Sequence, residues 1–541
     1  MADDPDPESR AQLSAILDAG DRAALSRCLT PPLAFGTAGM RGRLGPGPGQ
    51  MNRAVVRRVG ASLARSSLGQ EGSGPVVIGF DAREGSRIFA EDTARILAGA
   101  GLPVLLFPSV VPTPLLAFAV GYLGARAGVM VTASHNPPTD NGYKVYGPHG
   151  GQIVPPVDAE IAEGMEVLGP TLALPLAPEL PGAPSPELVD AYISSTLALR
   201  VRQRRSPLRI AYTPLHGVGR DLLLRILHAG GYDDVHVVAS QAEPDGAFPT
   251  VAFPNPEEPG ALDLVCALAL EVGADLILAN DPDADRIAVA VPIGGRIQVL
   301  SGDMVGCLLA EDLLASGGEG GSPRCVATTV VSSRLLRSIA ARHGADYVET
   351  LTGFKWIAQA AIGCRGRFVL GYEEALGVCV GEAVRDKDGL SAALLIADLA
   401  SDAGASGETL LDRLDALYRA HGVHEKLQRS LVWSDPRLRS RAMEGLRRRP
   451  PAELGGLAIE SMSDGLGGGE LPPADLLGFE LQGARVLVRP SGTEPKLKLY
   501  VEATEPPSDE LQRARITAKA RARAIADDLT AQLAAWVGPP G

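Results

Sequence analysis

Short apolar, β-branched runs alternate with longer amphipathic stretches through most of the chain. The runs Val76–Phe80, Val129–Thr132, Leu208–Tyr212, Val235–Val238, Leu276–Ala279, Cys325–Thr328 and Phe368–Gly371 predict strands. Between them, Asp221–Ala229, Leu262–Val272 and Ser333–His343 repeat their apolar positions at helical spacing. Strand, helix and strand at this spacing predict βαβ units, with parallel or mixed sheets covered by helices. Such sheets put their working loops at the carboxyl ends of strands.

The last hundred or so residues read differently. Strands near Leu457, Phe479, Arg485–Val488 and Lys496–Glu502 precede one long helix, about Asp509 to Trp536. That pattern predicts a smaller α+β domain. A stretch with six prolines, Pro170–Pro186, reads as a surface connection. The basic run Arg200–Arg209, a Gly/Ser loop at Ser316–Pro323 and an Arg-rich segment at Pro436–Pro451 mark further breaks. The fold class predicted is α/β with four domains: residues 1–205, 206–302 and 303–430 as three similar α/β domains, and 431–541 as α+β. Ile96–Ala125 carries no charge and is long enough to span a bilayer, but Pro103, Pro108, Pro112 and Pro114 break it. It is read as a helix end, a buried strand at Val104–Phe107, a loop and a new helix.

Composition narrows the function. The chain has 541 residues, 45% hydrophobic and 21% charged, with a net charge of −13. An acidic chain of this kind argues against nucleic acid or an anionic membrane as partner. A phosphate-bearing ligand would need local cations to hold it against the global field. The six cysteines show no CxxC spacing and predict free thiols in a reducing compartment. The acidic start MADDPDPESR lacks a signal-peptide pattern, so a cytoplasmic protein is expected.

Three loops carry candidate chemistry. In the first, the strand ending near Thr132 runs into Ala-Ser134-His135-Asn-Pro-Pro and on to Lys144. Ser134 sits at a strand's carboxyl end, a place for a nucleophile or phosphoryl carrier, although an ordinary turn has the same residue types. The second loop is Asn280-Asp281-Pro-Asp283-Ala-Asp285-Arg286. Its alternate carboxylates repel unless a cation gathers them, and hard oxygen ligands in an open loop suit Mg²⁺. The third is Arg489-Pro-Ser491-Gly492-Thr493, which has the parts of a phosphate grip or of a polar hairpin turn. Weaker signals are Glu373-Glu374-Ala-Leu-Gly377 and the glycine-rich stretch around Arg41. Only seven lysines occur in this Arg-biased chain, and five of them (Lys144, Lys355, Lys387, Lys496, Lys498) fall in or beside these loops. Lysine, unlike arginine, gives up a proton when its surroundings help.

Taken in order, TASHNP, DPDADR, EEALG and RPSGT resemble the four functional loops of the α-D-phosphohexomutase superfamily across nearly the whole chain. FGTAGMRG, NGYKVYGPHGGQI, PNPEEPG, TLTGFKW and RDKDG resemble its phosphoglucomutase/phosphopentomutase branch, which includes glucose-1,6-bisphosphate synthases. The resemblance implies a four-domain enzyme with one loop per domain around a central cleft. It implies a phosphoryl group on Ser134, and Mg²⁺ held by Asp281, Asp283 and Asp285. Lys144 would be the acid/base, with Arg41, His135 and Arg286 beside the transferring group. Glu373, Glu374, Lys355 and Lys387 would bind the sugar, and Arg489, Ser491, Gly492 and Thr493 the distal phosphate.

The implied reaction is transfer between C1 and C6 of glucose phosphate through a sugar bisphosphate, with glucose 1,6-bisphosphate as activator. C1 to C5 transfer on ribose or deoxyribose phosphate stands second. Alternatives are bisphosphate synthesis, phosphomannomutase activity and a non-catalytic sugar-phosphate sensor. The expected partners are small sugar phosphates, with the protein a monomer or homodimer. Where several hexose mutases of the superfamily carry a serine, this sugar loop has Ala375, which opens the choice of sugar.

Overall fold

The computed structural model describes residues 3–36, 39–70, 72–316, 322–433, 435–469, 471–491 and 496–538. They form two compact units, Met1–Ala327 with Gly353–Thr409, and Thr328–Thr352 with Leu410–Gly541.

The first unit is built on open, helix-covered sheets. One has six strands in the order Phe35–Gly36, Gly39–Arg43, Asp140–Tyr146, Ala127–Val131, Val76–Phe80, Val104–Leu106. Val76–Phe80 runs parallel to both Val104–Leu106 and Ala127–Val131, whereas Asp140–Tyr146 is antiparallel to its neighbours. Val76–Phe80 and Ala127–Val131 are buried at every residue, which is why they read as unbroken apolar runs. A second sheet of five strands has the order Arg296–Leu300, Ile287–Ile293, Leu276–Asn280, Ile210–Thr213, Val235–Val237. A third element is the antiparallel pair Arg367–Glu373 and Gly377–Val380.

The uncharged stretch from Ile96 divides as its prolines predict. Helix Ser86–Gly99 ends, strand Val104–Leu106 follows, and helix Thr113–Tyr122 starts just after Pro112. Among the described residues no helix is long and apolar enough to cross a membrane. The basic run after residue 200 finds acidic partners inside the same unit. Arg200 pairs with Asp398, and Arg202 with Asp312 and Asp402. All six cysteines are free.

The second unit is a six-stranded antiparallel sheet in the order Val423–Val432, Lys496–Glu505, Ala484–Pro490, Leu477–Leu481, Leu457–Asp464, Glu453–Leu454. Helix Leu511–Val537 covers it, burying Leu511, Ala514, Ala518, Ala522, Ile525, Leu529 and Leu533. Steps of three and four between these positions make one apolar stripe. Helix Leu335–Arg342 and strand Asp346–Thr350 also belong to this unit, where Val330 and Val331 pack with Leu487 and Tyr500.

Candidate active site

Three loops of the first unit meet. Ser134 follows the carboxyl end of Ala127–Val131 and takes a left-handed backbone angle, φ 53°. Its Oγ donates to Asp281 Oδ2 at 2.7 Å and lies 3.2 Å from His135 Nδ1. Asp281, Asp283 and Asp285 follow the strand Leu276–Asn280 and are fully buried. A tight turn through Ala284, φ 56°, brings a carboxylate oxygen from each to within 4.8 Å of the others. The turn is docked on the start of helix Thr113–Tyr122, since Thr113 N–H and Oγ1 donate to Asp283 O and Oδ2 at 2.9 and 2.6 Å. The third loop follows Arg367–Glu373. Its Leu376 carbonyl accepts from Ile287 N–H at 3.1 Å, so this loop and the aspartate loop lie side by side.

Charge is concentrated here. Lys144 Nζ, fully buried, donates to Asp283 Oδ2 at 2.7 Å and Asp285 Oδ2 at 2.8 Å. Lys387 Nζ lies 3.1 Å from the same Asp285 oxygen. Burial alone would push the Lys144 ammonium down, yet Asp283 and Asp285 hold it above the ordinary lysine value. Burial likewise opposes Lys387, and Asp285, Asp386 and Glu373 hold it up. Burial drives Asp281 well above the usual carboxylate range, helped by repulsion from Asp283 and Asp285. Asp285 is lowered instead, because Lys144, Lys387 and Arg286 outweigh its burial. Burial, with Arg286 and Arg41 nearby, holds the His135 imidazole well below its ordinary value. The half-buried Glu373 carboxyl is pushed up to about 7 by desolvation, against the pull of Lys387 and Arg286.

Asp283 Oδ1 and Asp285 Oδ1 are buried and have no hydrogen-bond partner among the described residues. Two orphaned carboxylate oxygens beside a third carboxylate fit a hard divalent cation. Arg286 directs Nη1 to Glu257 at 3.3 Å, and Arg41 directs Nη1 to Asn136 Oδ1 at 3.0 Å.

The structure brings together Ser134, His135, Lys144, Arg41, the three aspartates, Arg286, Glu373 and Lys387. Glu374 lines a neighbouring cavity of about 270 Å³ with Glu257, Ser301 and Leu376. Lys355 Nζ lies 3.6 Å from Asp158 Oδ2 and beside the Gly36 carbonyl. In the second unit, Arg489 closes the strand Ala484–Pro490, and Ser491 N–H donates to the Lys496 carbonyl at 2.8 Å. Gly492 and Thr493 lie outside the described residues.

Several supports escape the sequence reading. Asp386 accepts from Tyr146 OH and Gln152, each at 2.8 Å, and Asp388 caps helix Gly389–Ala405, so the residues flanking Lys387 fix its backbone. Gly389 is required for space, and Gly377 packs closely on Lys387. A Cβ at Gly377 would lie 2.4 Å from Lys387 Cδ, and one at Gly389 2.3 Å from the Arg286 carbonyl. Asp81 and Arg83, just past Val76–Phe80, support the Ser134 loop from behind. Their position at a strand's carboxyl end is the signal that could have found them.

Known proteins show the same organisation. Residues 32–168, 190–294 and 301–419 match the models of phosphoglucomutase/phosphomannomutase alpha/beta/alpha domains I, II and III, and 443–519 match the C-terminal domain of that family. A Haemophilus influenzae protein named "Probable phosphomannomutase" is 43% identical over 84% of this chain and 93% of its own. A Schizosaccharomyces pombe protein named "Probable phosphoribomutase" is 36% identical over 92% of this chain and 91% of its own. The crystal structure of a phosphoglucomutase/phosphomannomutase family protein from Burkholderia thailandensis shares the fold, with TM-score 0.70 at 21% identity, over 94% of this chain and 98% of that one. Four domain matches in order, and relatives aligned along most of their length, agree with the serine, aspartate and lysine geometry. The chain belongs to the phosphoglucomutase/phosphomannomutase family of phospho-sugar mutases.

Proposed function

We propose that this protein moves a phosphoryl group between C1 and C6 of glucose phosphate through Ser134 and a sugar bisphosphate. The observation that carries the reading is the Ser134 hydroxyl, 2.7 Å from the first of three buried aspartates, two of which keep an unused oxygen. Mg²⁺ held by Asp281, Asp283 and Asp285 would supply charge neutralisation at the transferring group. Phosphoryl transfer depends on positioning and charge more than on covalent chemistry, and this chain provides both. Ser134 Oγ carries the group. Arg286 and Arg41 face the developing negative charge. Lys144 Nζ is the proton carrier for the sugar hydroxyl, and in the resting site it donates one hydrogen bond each to Asp283 and Asp285. His135 Nδ1 lies 3.2 Å from Ser134 Oγ, beside the transferring group. Glu373, Glu374, Lys355 and Lys387 meet the sugar, while Arg489, Ser491, Gly492 and Thr493 take the phosphate that is not reacting. Glucose 1,6-bisphosphate serves as activator by charging Ser134.

A second reading, transfer between C1 and C5 of ribose or deoxyribose phosphate, is supported by Ala375, which offers no hydroxyl to a hexose. The name of the fission-yeast relative points the same way. The test is a panel of glucose, mannose, ribose and deoxyribose 1-phosphates with Mg²⁺ and a trace of the matching bisphosphate. The highest kcat/KM is expected for glucose 1-phosphate, and a pentose preference would replace the first reading with the second. Accumulation of glucose 1,6-bisphosphate from an acyl-phosphate donor, with no isomerisation, would overturn both.

A further inference from the structure

Arg83 stands two residues beyond Asp81, just after the strand Val76–Phe80, and is 4% exposed. Its guanidinium sends hydrogen bonds into one loop. Nη2 donates to the carbonyls of Ser134 and Asn136, both at 2.5 Å, and Nη1 to those of Pro137 and Asp140 at 2.7 and 3.1 Å. Nε lies 3.4 Å from Asp81 Oδ2, and the guanidinium carbon sits 4.8 Å from the centre of the Phe248 ring. Asp81 also accepts from Thr132 Oγ1 at 2.6 Å, and Thr132 Oγ1 accepts from Ser134 N–H at 2.8 Å. Both backbone groups of Ser134 are therefore tied to the same Asp81–Arg83 pair.

A buried arginine kept for packing needs only its acid. This one also gathers four carbonyl dipoles that would repel one another without a cation between them. The residue they fix is a serine with φ 53°, a conformation disfavoured for any side chain with a Cβ. With the backbone so held, Oγ meets Asp281 Oδ2 at 2.7 Å.

We infer that Arg83 is a positioning residue for phosphoryl transfer, holding the Ser134 backbone in the conformation that aims Oγ at Asp281. The inference rests on the reading of Ser134 as phosphoryl carrier. Arg83 acts through Ser134 and leaves substrate binding to other groups. Its planar fork is what the four carbonyls need, and a lysine point charge serves only some of them.

The test uses the full chain with Mg²⁺. Arg83→Met is expected to lower kcat roughly 100-fold per folded molecule, and Arg83→Lys less, while KM moves by less than about threefold. The single-turnover rate of Ser134 phosphorylation by glucose 1,6-bisphosphate, followed by intact mass, falls in parallel with kcat. A purely structural arginine would lower the folded fraction and leave kcat per folded molecule and the phosphorylation rate at parental values, and that result overturns the inference. If Arg83→Met does not fold, Arg83→Lys decides: parental kcat and phosphorylation rate in that variant overturn it, and a parallel fall at constant KM supports it. Ser134→Ala separates the two levels. A silent Ser134→Ala beside fully active Arg83 variants removes this inference alone, whereas turnover by Ser134→Ala removes the carrier reading beneath it.

Discussion

Two buried carboxylate networks, one in each unit, make opposite use of the same chemistry. In the second unit Glu502 accepts from Ser333 Oγ at 2.7 Å, Arg334 N–H at 2.9 Å and His424 Nδ1 at 3.2 Å, and lies 3.4 Å from Arg485 Nη2. Both its oxygens are used. Burial pushes it up, but His424, Arg485 and Ser333 hold it down at about 2. In the first unit the aspartates crowd together, and Asp283 and Asp285 each keep a buried oxygen without a protein partner. A satisfied buried charge holds a fold together. One left partly unsatisfied is kept for something that arrives later.

The sharpest way to break this contrast is Asp285→Asn, which removes a carboxylate from the triad and a partner from both lysines. Turnover is expected to fall by about 10²–10³-fold. Saturating Mg²⁺ should raise the Tm of the parent, and that rise should vanish in Asp285→Asn, because a ligand bound only to the folded state stabilises it. Differential scanning fluorimetry with and without Mg²⁺ reads this directly.

Next comes Glu502→Gln. Removing one member of a buried ion network leaves Arg485 and His424 without their shared acid, at a cost of about 3 kcal/mol. Urea unfolding should show the loss, with kcat within about threefold of the parent and the Mg²⁺-dependent Tm rise intact.

Acid separates the networks in a third way. Because the folded value of Glu502 is depressed, its stabilisation is complete above the ordinary carboxylate value of 4.5 and is lost as pH falls towards about 2. The stability of the parent should therefore fall steeply across that window. Glu502→Gln should flatten the slope by about one proton.

The smallest effect is expected from Gly377→Ala, whose Cβ would press on Lys387 Cδ at 2.4 Å. Displacing Lys387 should lower turnover by about tenfold, with a stability cost near 1 kcal/mol.

What the sequence revealed follows from how local each signal is. Val76–Phe80 was legible to the residue because both of its faces are buried, and the long C-terminal helix because its apolar stripe repeats along 27 residues. The aspartate triplet was legible because like charges at alternate positions need a cation, and Lys144 because lysine is rare in this chain. Arg83, Thr113 and Asp386 were not, since their roles depend on partners that lie 51, 170 and 240 positions away. For Lys355 too, the partner escaped the sequence. Its rarity is a property of the chain, whereas its partner Asp158 is a property of the fold.

The account stands on Ser134 as the carrier of the phosphoryl group. Its most direct test is the intact mass of the purified protein after incubation with glucose 1,6-bisphosphate and Mg²⁺. Parent protein should gain one phosphoryl group, lose it again on addition of sugar phosphate, and show neither change as Ser134→Ala. A parent that turns over with no change in mass, or a Ser134→Ala variant that still gains the group, would contradict the account.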